Sequence, residues 1–308
     1  MTPQAGICAE PNLHAFYLMF NLIPGKREQV RQALAELPVF WQHTAEQYPE
    51  ASFSGLVAIG NNAWDDIYPH ARPAGLSAFP AQQAGDRQAP ETPYDLFFQF
   101  RADRLDVAYI ASQQVMSLLA GLAELTYERQ GFRYLDSRDF TGFVDGTENP
   151  QDEHRAEVAL VAEGRFAGGS YLHVQHYRHR MAKWRKLPVR QQEDVYGRTK
   201  LENIEYESAR KPLTAHTKRT SLKDELGKSM EILRQSMPWG NATEQGLVFI
   251  SCCYTPLHFT RMLESMFQGD GAGNFDHLTL FTQAETGSAF FAPSLEWLAR
   301  QGDLLGGS

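Results

Sequence analysis

Within its first 135 residues the chain passes twice from an apolar strand through an amphipathic helix and back to a strand. HAFYLMFNL (His14–Leu22) has the aromatic, β-prone composition of a strand. In GKREQVRQALAELPVFWQHTAEQ, Val30, Leu34, Leu37 and Phe40 recur at helical spacing, and SFSGLVAIG (Ser52–Gly60) returns to strand. The unit then recurs. YDLFFQFRA (Tyr94–Ala102) is a strand, Leu105–Leu125 carries a helical pattern, and TYERQGFRYL is a strand again. Residues 61–93, between the two units, are rich in proline and read as surface loop.

The second half has the same grain. AEVALV and GGSYLHVQHYRH read as strands, and MAKWRKLPVRQQEDVYG as a helix interrupted at Pro188. Residues 197–228 are polar and largely irregular. SMEILRQSMPWG and QGLVFISCCYT read as strands. PLHFTRMLESMFQ (Pro256–Gln268) reads as a helix with Pro in its first turn, where the missing N–H costs little. The expected fold class is α+β: two domains, each an antiparallel sheet with helices on one side. No close sequence repeat links the halves, so any duplication is structural.

Composition narrows the function. At 308 residues the chain can bury an ample core, and 43% hydrophobic with 21% charged residues is that of a soluble globular protein. A formal charge of −8 argues against a nonspecific nucleic-acid binder, which needs a basic face. Three cysteines, two of them adjacent (Cys252 and Cys253), build no disulfide framework and fit a reducing compartment. MTPQAGICAEPNL has no secretory pattern, and no run approaches the ~20 apolar residues of a membrane helix. A cytoplasmic location without membrane partners is expected. The terminal QGDLLGGS is expected to fray.

Among the residues suited to chemistry, three histidines gather in HVQHYRH: His173, His176 and His179. On a strand, His173 and His179 share one face and His176 takes the other. With no Cys or carboxylate in the pattern, they read as partly exposed strand histidines rather than metal ligands. Cys252 and Cys253 read as small buried hydrophobes. His216, in the polar PLTAHTKRT, reads locally as a surface histidine. In EILRQSMPWG, Arg234 and Ser236 share a strand face; the Arg is either an edge residue in solvent or a cation aimed into a pocket. TGFVDGTENP (Thr141–Pro150) is either a turn or the rim of a site, since it sets Phe143 and Val144 beside Asp145 and Gly146.

Taken in order, GFVDGTENP (142–150), AHTKR (215–219), ILRQSMPWG (232–240) and FFAPSLEWL (290–298) resemble the motifs of the dye-decolorising peroxidases. The first carries the family's GxxDG signature, and the likeness runs from the first strand to the last helix. It is nearest to the bacterial members of cytoplasmic type. The resemblance implies two ferredoxin-like domains, here 1–140 and 141–308, with haem b in the second. It makes His216 the ligand of the haem iron and Asp276, in NFDHLTLF, the carboxylate that accepts the other N–H of that imidazole. Asp145 becomes the distal acid–base residue, Arg234 the distal arginine and Ser236 a polar distal companion. Arg198, in GRTK, is placed to meet a haem propionate. Gly142 and Gly146 let the backbone approach a flat macrocycle.

The function so implied is a haem b peroxidase that reduces hydrogen peroxide and oxidises bulky aromatic donors: dyes, phenols, porphyrinogens. A carboxylate with an ordinary pKa near 4 is a competent base in mildly acid solution, and an adjacent Arg234 keeps it ionised, so an acidic optimum is expected. Large donors are expected to pass electrons through Tyr or Trp residues such as Trp184, Tyr196 and Trp239. A homo-oligomer, dimer or larger, is expected because exposed sheet edges need cover. No extended cargo tail is apparent, so encapsulation is not expected. Two alternatives stand beside this reading: a haem-carrying or haem-buffering protein with incidental peroxidase activity, and a haem-free ferredoxin-like binding module.

Overall fold

Six consecutive buried residues, Ala15–Phe20, place β1 (His14–Leu22) inside a sheet, where both faces need apolar cover. The computed structural model describes residues 1–303. After β1 come α1 (Arg27–Gln47), β2 (Ser54–Gly60), α2 (Trp64–Ile67), the hairpin β3 (Gln82–Ala84) and β4 (Arg87–Ala89), β5 (Leu96–Ala102), α3 (Leu105–Leu118) and β6 (Ala123–Phe132). The second half supplies α4 (His154–Ala159), β7 (Ser170–His179), α5 (Met181–Trp184), α6 (Val189–Tyr196), α7 (His216–Thr220), β8 (Leu233–Arg234) and β9 (Met237–Gly240). It ends with β10 (Gln245–Cys253), α8 (Leu257–Phe267), β11 (Thr282–Ala284), β12 (Ser288–Ala292) and α9 (Leu295–Asp303).

The fold is α+β and ferredoxin-like in each half. Strand order runs β6-β1-β5-β2-β12-β7-β10-β8, with antiparallel neighbours throughout. In both halves the last principal strand pairs with the first, the first with the third and the third with the second. This is the structural duplication that the sequence does not display. The halves join edge to edge where Phe290 and Phe291 pair with Gly60 and Ile59. One face of the sheet, carrying Tyr17, Met19, Phe97, Val174, Ile250 and Phe290, forms a core shared by both halves. The opposite face packs on helices: α1 and α3 against Phe16, Leu18 and Phe20, and α8 through Phe259, Leu263 and Phe267 against Tyr177.

Several elements differ from the expectations. α3 ends at Leu118; Gly121, at φ +72°, turns the chain, and Ala123–Leu125 pair with β1 instead of extending the helix. AEVALV forms the end of α4 and not a strand, because a short apolar run fits either form and here Val158 and Ala159 pack into the shared core as a helical turn. Residues 61–93 hold α2 and the β3–β4 hairpin besides loop. SMEILRQSMPWG is split into β8 and β9, where the Ser236 hydroxyl, in place of a backbone carbonyl, accepts the Ile250 N–H at 3.3 Å. Of the terminal run expected to fray, 301–303 close α9 and the remainder lies outside the described residues.

Candidate active site

The loop 141–150 is built by its own sequence. Gly142 and Gly146 take φ of +90° and +84°, a region that side chains with a Cβ rarely occupy. Between them Phe143 is buried and stacks on Tyr196, ring centroids 4.0 Å apart. The Asp145 N–H donates to Ser137 O at 2.9 Å, and Arg138 Nη1 donates to Gly142 O at 2.8 Å. Asn149 then ties the loop to β8: its Nδ2 donates to Arg234 O, and the Arg234 N–H donates to its Oδ1.

On the helix side of the second-half sheet lies a cavity of about 380 Å³. Gln175, Tyr177 and His179, alternate residues of β7, form its floor, α8 supplies apolar walls through Phe259, Met262 and Met266, and loop 143–148 closes one side. The volume falls in the range of small-molecule and cofactor sites, roughly 300–1,000 Å³. His216, at the start of α7, and Arg198 also face it. A second cavity of about 80 Å³ meets the first at Asp145, Gly146 and Arg234, which line both.

His216 is oriented from behind. Its Nδ1 lies 2.6 Å from Asp276 Oδ2, while Asp276 Oδ1 accepts the Leu278 N–H at 2.8 Å. The carboxylate is fully buried at 0% exposure, whereas the imidazole is 23% exposed and opens toward the cavity. A carboxylate at Nδ1 places the proton on that nitrogen and leaves Nε2 as the free lone pair. The two segments are also joined by backbone, since the His277 N–H donates to Thr214 O at 3.0 Å.

The electrostatics of Asp145 differ from the expectation. Burial pushes its carboxyl above the ordinary 3.8, and the Arg234 charge opposes that shift without cancelling it. Arg234 therefore eases ionisation of Asp145 but does not hold its pKa below normal. The acid limb of any reaction that needs the carboxylate lies higher in pH than for an exposed aspartate.

The cavity brings together Asp145, Arg234, His216 and Arg198, with Gly146 at its edge and Asp276 behind His216. Arg198 is buried; it donates to Glu148 Oε1 at 3.2 Å and to Asn203 O at 3.0 Å, and its Nε has no partner among the described residues. Ser236 lines only the smaller cavity. Gly142 lines neither; its φ favours glycine, and the Cβ it lacks would displace the end of the Lys200 side chain, whose Cε lies 2.5 Å from that position. Gly146 faces open space. His173 and His176 are buried, not partly exposed, and burial holds both imidazoles down at about 3. Cys252 and Cys253 are buried and unpaired, as small hydrophobes. Trp184 and Trp239 are buried as well. Asp139 and His179 on the cavity wall, and the Asn149 link, are not among the expected site residues, and Tyr196, expected only as an electron relay, lines the cavity as well. The alternation of β7 carries the signal for His179, which follows Tyr177 by two.

Residues that would hold a haem are present. The cavity has apolar walls, a histidine fixed by a buried carboxylate, an open glycine edge at Gly146, and unpartnered guanidinium nitrogens on Arg198 and Arg234. A ferredoxin-like pair of domains with such a histidine and an Asp–Arg pair on one cavity is the frame of a peroxidase. Residues 4–133 match the Dyp-type peroxidase N-terminal family and 136–297 the Dyp-type peroxidase C-terminal family, so the chain belongs to the Dyp-type peroxidases. A dye-decolorizing peroxidase of Rhodococcus erythropolis is 38% identical, across 92% of this chain and 84% of its own. A Shewanella oneidensis crystal structure, provisionally assigned to the dyp-type peroxidases, is 55% identical with TM-score 0.95, covering 97% of this chain and 98% of that one. A point variant of Rhodococcus jostii DypB in complex with heme is 34% identical with TM-score 0.92, covering 97% and 98%. The protein is a peroxidase.

Proposed function

We propose that this peroxidase binds haem b through His216 Nε2, reduces hydrogen peroxide beside Asp145 and Arg234, and oxidises bulky aromatic donors such as dyes, phenols and porphyrinogens. One observation carries the reading: His216 Nδ1 is committed to the buried Asp276 at 2.6 Å, which leaves Nε2 free at a cavity that Asp145 and Arg234 also line. Haem, when bound, supplies the iron at which peroxide is reduced and from which donors are oxidised. Asp276 holds the proton on His216 Nδ1 and strengthens Nε2 as a ligand. Asp145, ionised, accepts a proton from peroxide at its carboxylate and returns it to the departing oxygen. Arg234 presents fixed positive charge where negative charge grows on oxygen. Arg198 and its unpartnered Nε suit a propionate. Ser236 acts on the peroxide side only from the smaller cavity, and its hydroxyl is already engaged by Ile250 N–H.

The halves 1–140 and 141–308 are proposed as the domain boundary, supported by β1–β6 falling before it and β7–β12 after it. Three free cysteines suit the cytoplasm. Among the described residues no helix is long and apolar enough to cross a membrane. Among the described residues the outer edge of β6 has no strand partner, which supports a homo-oligomer. The test is spectroscopic. Purified protein is expected to show a haem Soret band whose spectrum changes within milliseconds of adding hydrogen peroxide; no change would sink the peroxide chemistry, and an unaltered band in His216→Ala would sink the ligand assignment.

A further inference from the structure

The smaller cavity, about 80 Å³, is walled by five arginines: Arg101, Arg133, Arg138, Arg155 and Arg234. Two are paired. Arg138 meets Asp136 at 2.9 Å, and Arg155 meets Glu10 at 3.4 Å while also donating to the Cys8, Ala9 and Pro150 carbonyls. The other three have no ion-pair partner among the described residues. Arg101 is the extreme case. It is 3% exposed, its Nη1 is spent on the Gln235 side chain, and its Nε has no partner. Gln235 is itself fixed, with Nε2 donating to Ile7 O at 2.9 Å and Ala9 O at 3.0 Å. A buried guanidinium without a counter-charge is costly, and a buried donor left unmade adds to the cost.

Among the described residues Asp145 is the single carboxylate on this wall, and Arg234 shares it. Burial already disfavours its charge. One carboxylate does not balance Arg101 and Arg234 in so small a volume, and Arg133 adds a third positive charge at the exposed rim. A second orphan, Asn12 Oδ1, is an acceptor on the same wall and suits a water that accompanies a charged guest.

We propose that this cavity is a binding site for a small monovalent inorganic anion, of halide to nitrate size, held by Arg101 and Arg234 with the exposed Arg133 on its outer side. The site stands on the apoprotein's own charges and needs no haem. A consequence does rest on the proposed function: an anion seated against Asp145 blocks peroxide from that side.

Crystals soaked in sodium bromide test the site directly. An anomalous bromide peak beside Arg101 is expected in the wild type and is expected to vanish in Arg101→Met. No peak in the wild-type cavity, or an undiminished peak in the variant, overturns the proposal. If Arg101→Met fails to fold, Arg133→Ala decides. This exposed change is expected to weaken bromide affinity roughly two- to fivefold, and unchanged affinity counts against the site. Nitrate is separately expected to raise the peroxide KM of the wild type. A bromide peak without that rise keeps the anion site and overturns its place on the peroxide route.

Discussion

Asn149 Nδ2 donates to Arg234 O at 2.8 Å, and the Arg234 N–H donates back to Asn149 Oδ1 at 2.8 Å. The two bonds lock the loop that carries Asp145 to the strand that carries Arg234. The relative position of Asp145 and Arg234 is thus tied by one side-chain amide, with no ion pair between them among the described residues.

Asn149→Ala removes both bonds and leaves two partly buried backbone groups of Arg234 unmade. A loss of about 1–3 kcal/mol in urea unfolding is expected. Misplacing Arg234 is also expected to lower peroxide kcat/KM by up to roughly a hundredfold. Asn149→Asp keeps the acceptor and loses the donor, so it should fall between the two. Wild-type kinetics in Asn149→Ala would remove the link from the catalytic frame.

Much of this site is legible in the sequence because short-range chemistry marks it. The glycines of TGFVDGTENP announce positive φ, the ordered motifs carry Asp145, His216 and Arg234, and the resemblance adds Asp276 from NFDHLTLF. The Asn149–Arg234 link is not legible, since its partners lie 85 positions apart and neither has a local pattern that predicts the other. Local reading also misjudges His216, whose polar neighbours hide that Asp276 buries behind it. The same limit explains α4: Val158 and Ala159 become helix because of where they pack, which period alone cannot show. The repeated strand order likewise lives in pairings and not in residue identities.

The raised pKa of Asp145 has a definite sign for stability. A folded-state value above the ordinary 3.8 means that ionisation penalises the folded chain. The penalty is absent below 3.8, grows as pH rises toward the folded value, and stays constant above it. Asp145→Asn never ionises, so at matched haem content it should resist urea better than wild type at neutral pH. The two should converge at about pH 3.8 and below. A constant difference at every pH would show that packing, not charge, separates them.

Arg234→Leu removes the cation that lines both cavities. Loss of a charge-stabilising donor typically costs roughly a hundred- to thousandfold in rate, and that fall is expected for peroxide reduction. Arg234 also opposes the upward shift of Asp145, so the acid limb of the pH–rate profile should move to higher pH. A rate loss with an unmoved acid limb would separate the two roles of Arg234 and leave only the first.

Asp276→Asn keeps a polar group against His216 but deletes the buried charge. Carboxylates behind a metal-bound imidazole are worth roughly ten- to a hundredfold in affinity or activity. The variant is expected to retain a Soret band, altered in position, and to lose peroxidase rate by that factor. Asp276→Ala should be worse, because it also frees the Leu278 N–H that Oδ1 accepts at 2.8 Å. Equal behaviour of the two variants would mean that the Asn side chain does not replace either bond.

Gly142 and Gly146 share a left-handed backbone but not their surroundings. At Gly142 an added Cβ meets Lys200 Cε at 2.5 Å, where Lys200 Nζ bonds Gln192 Oε1 and lies over the Phe143 ring, 5.7 Å from its centroid. At Gly146 the Cβ meets nothing within 4 Å. Gly142→Ala therefore carries backbone strain plus displacement of Lys200, whereas Gly146→Ala carries strain alone, about 1–2 kcal/mol. In urea unfolding Gly142→Ala is expected to lose more stability. Gly146→Ala should instead act on the site, because Gly146 lines both cavities. Its signature is weakened haem uptake or a higher peroxide KM in a protein that is only modestly destabilised. The reverse pattern, with Gly146→Ala the less stable and Gly142→Ala the poorer binder, would mean that the loop is set differently against the cavity.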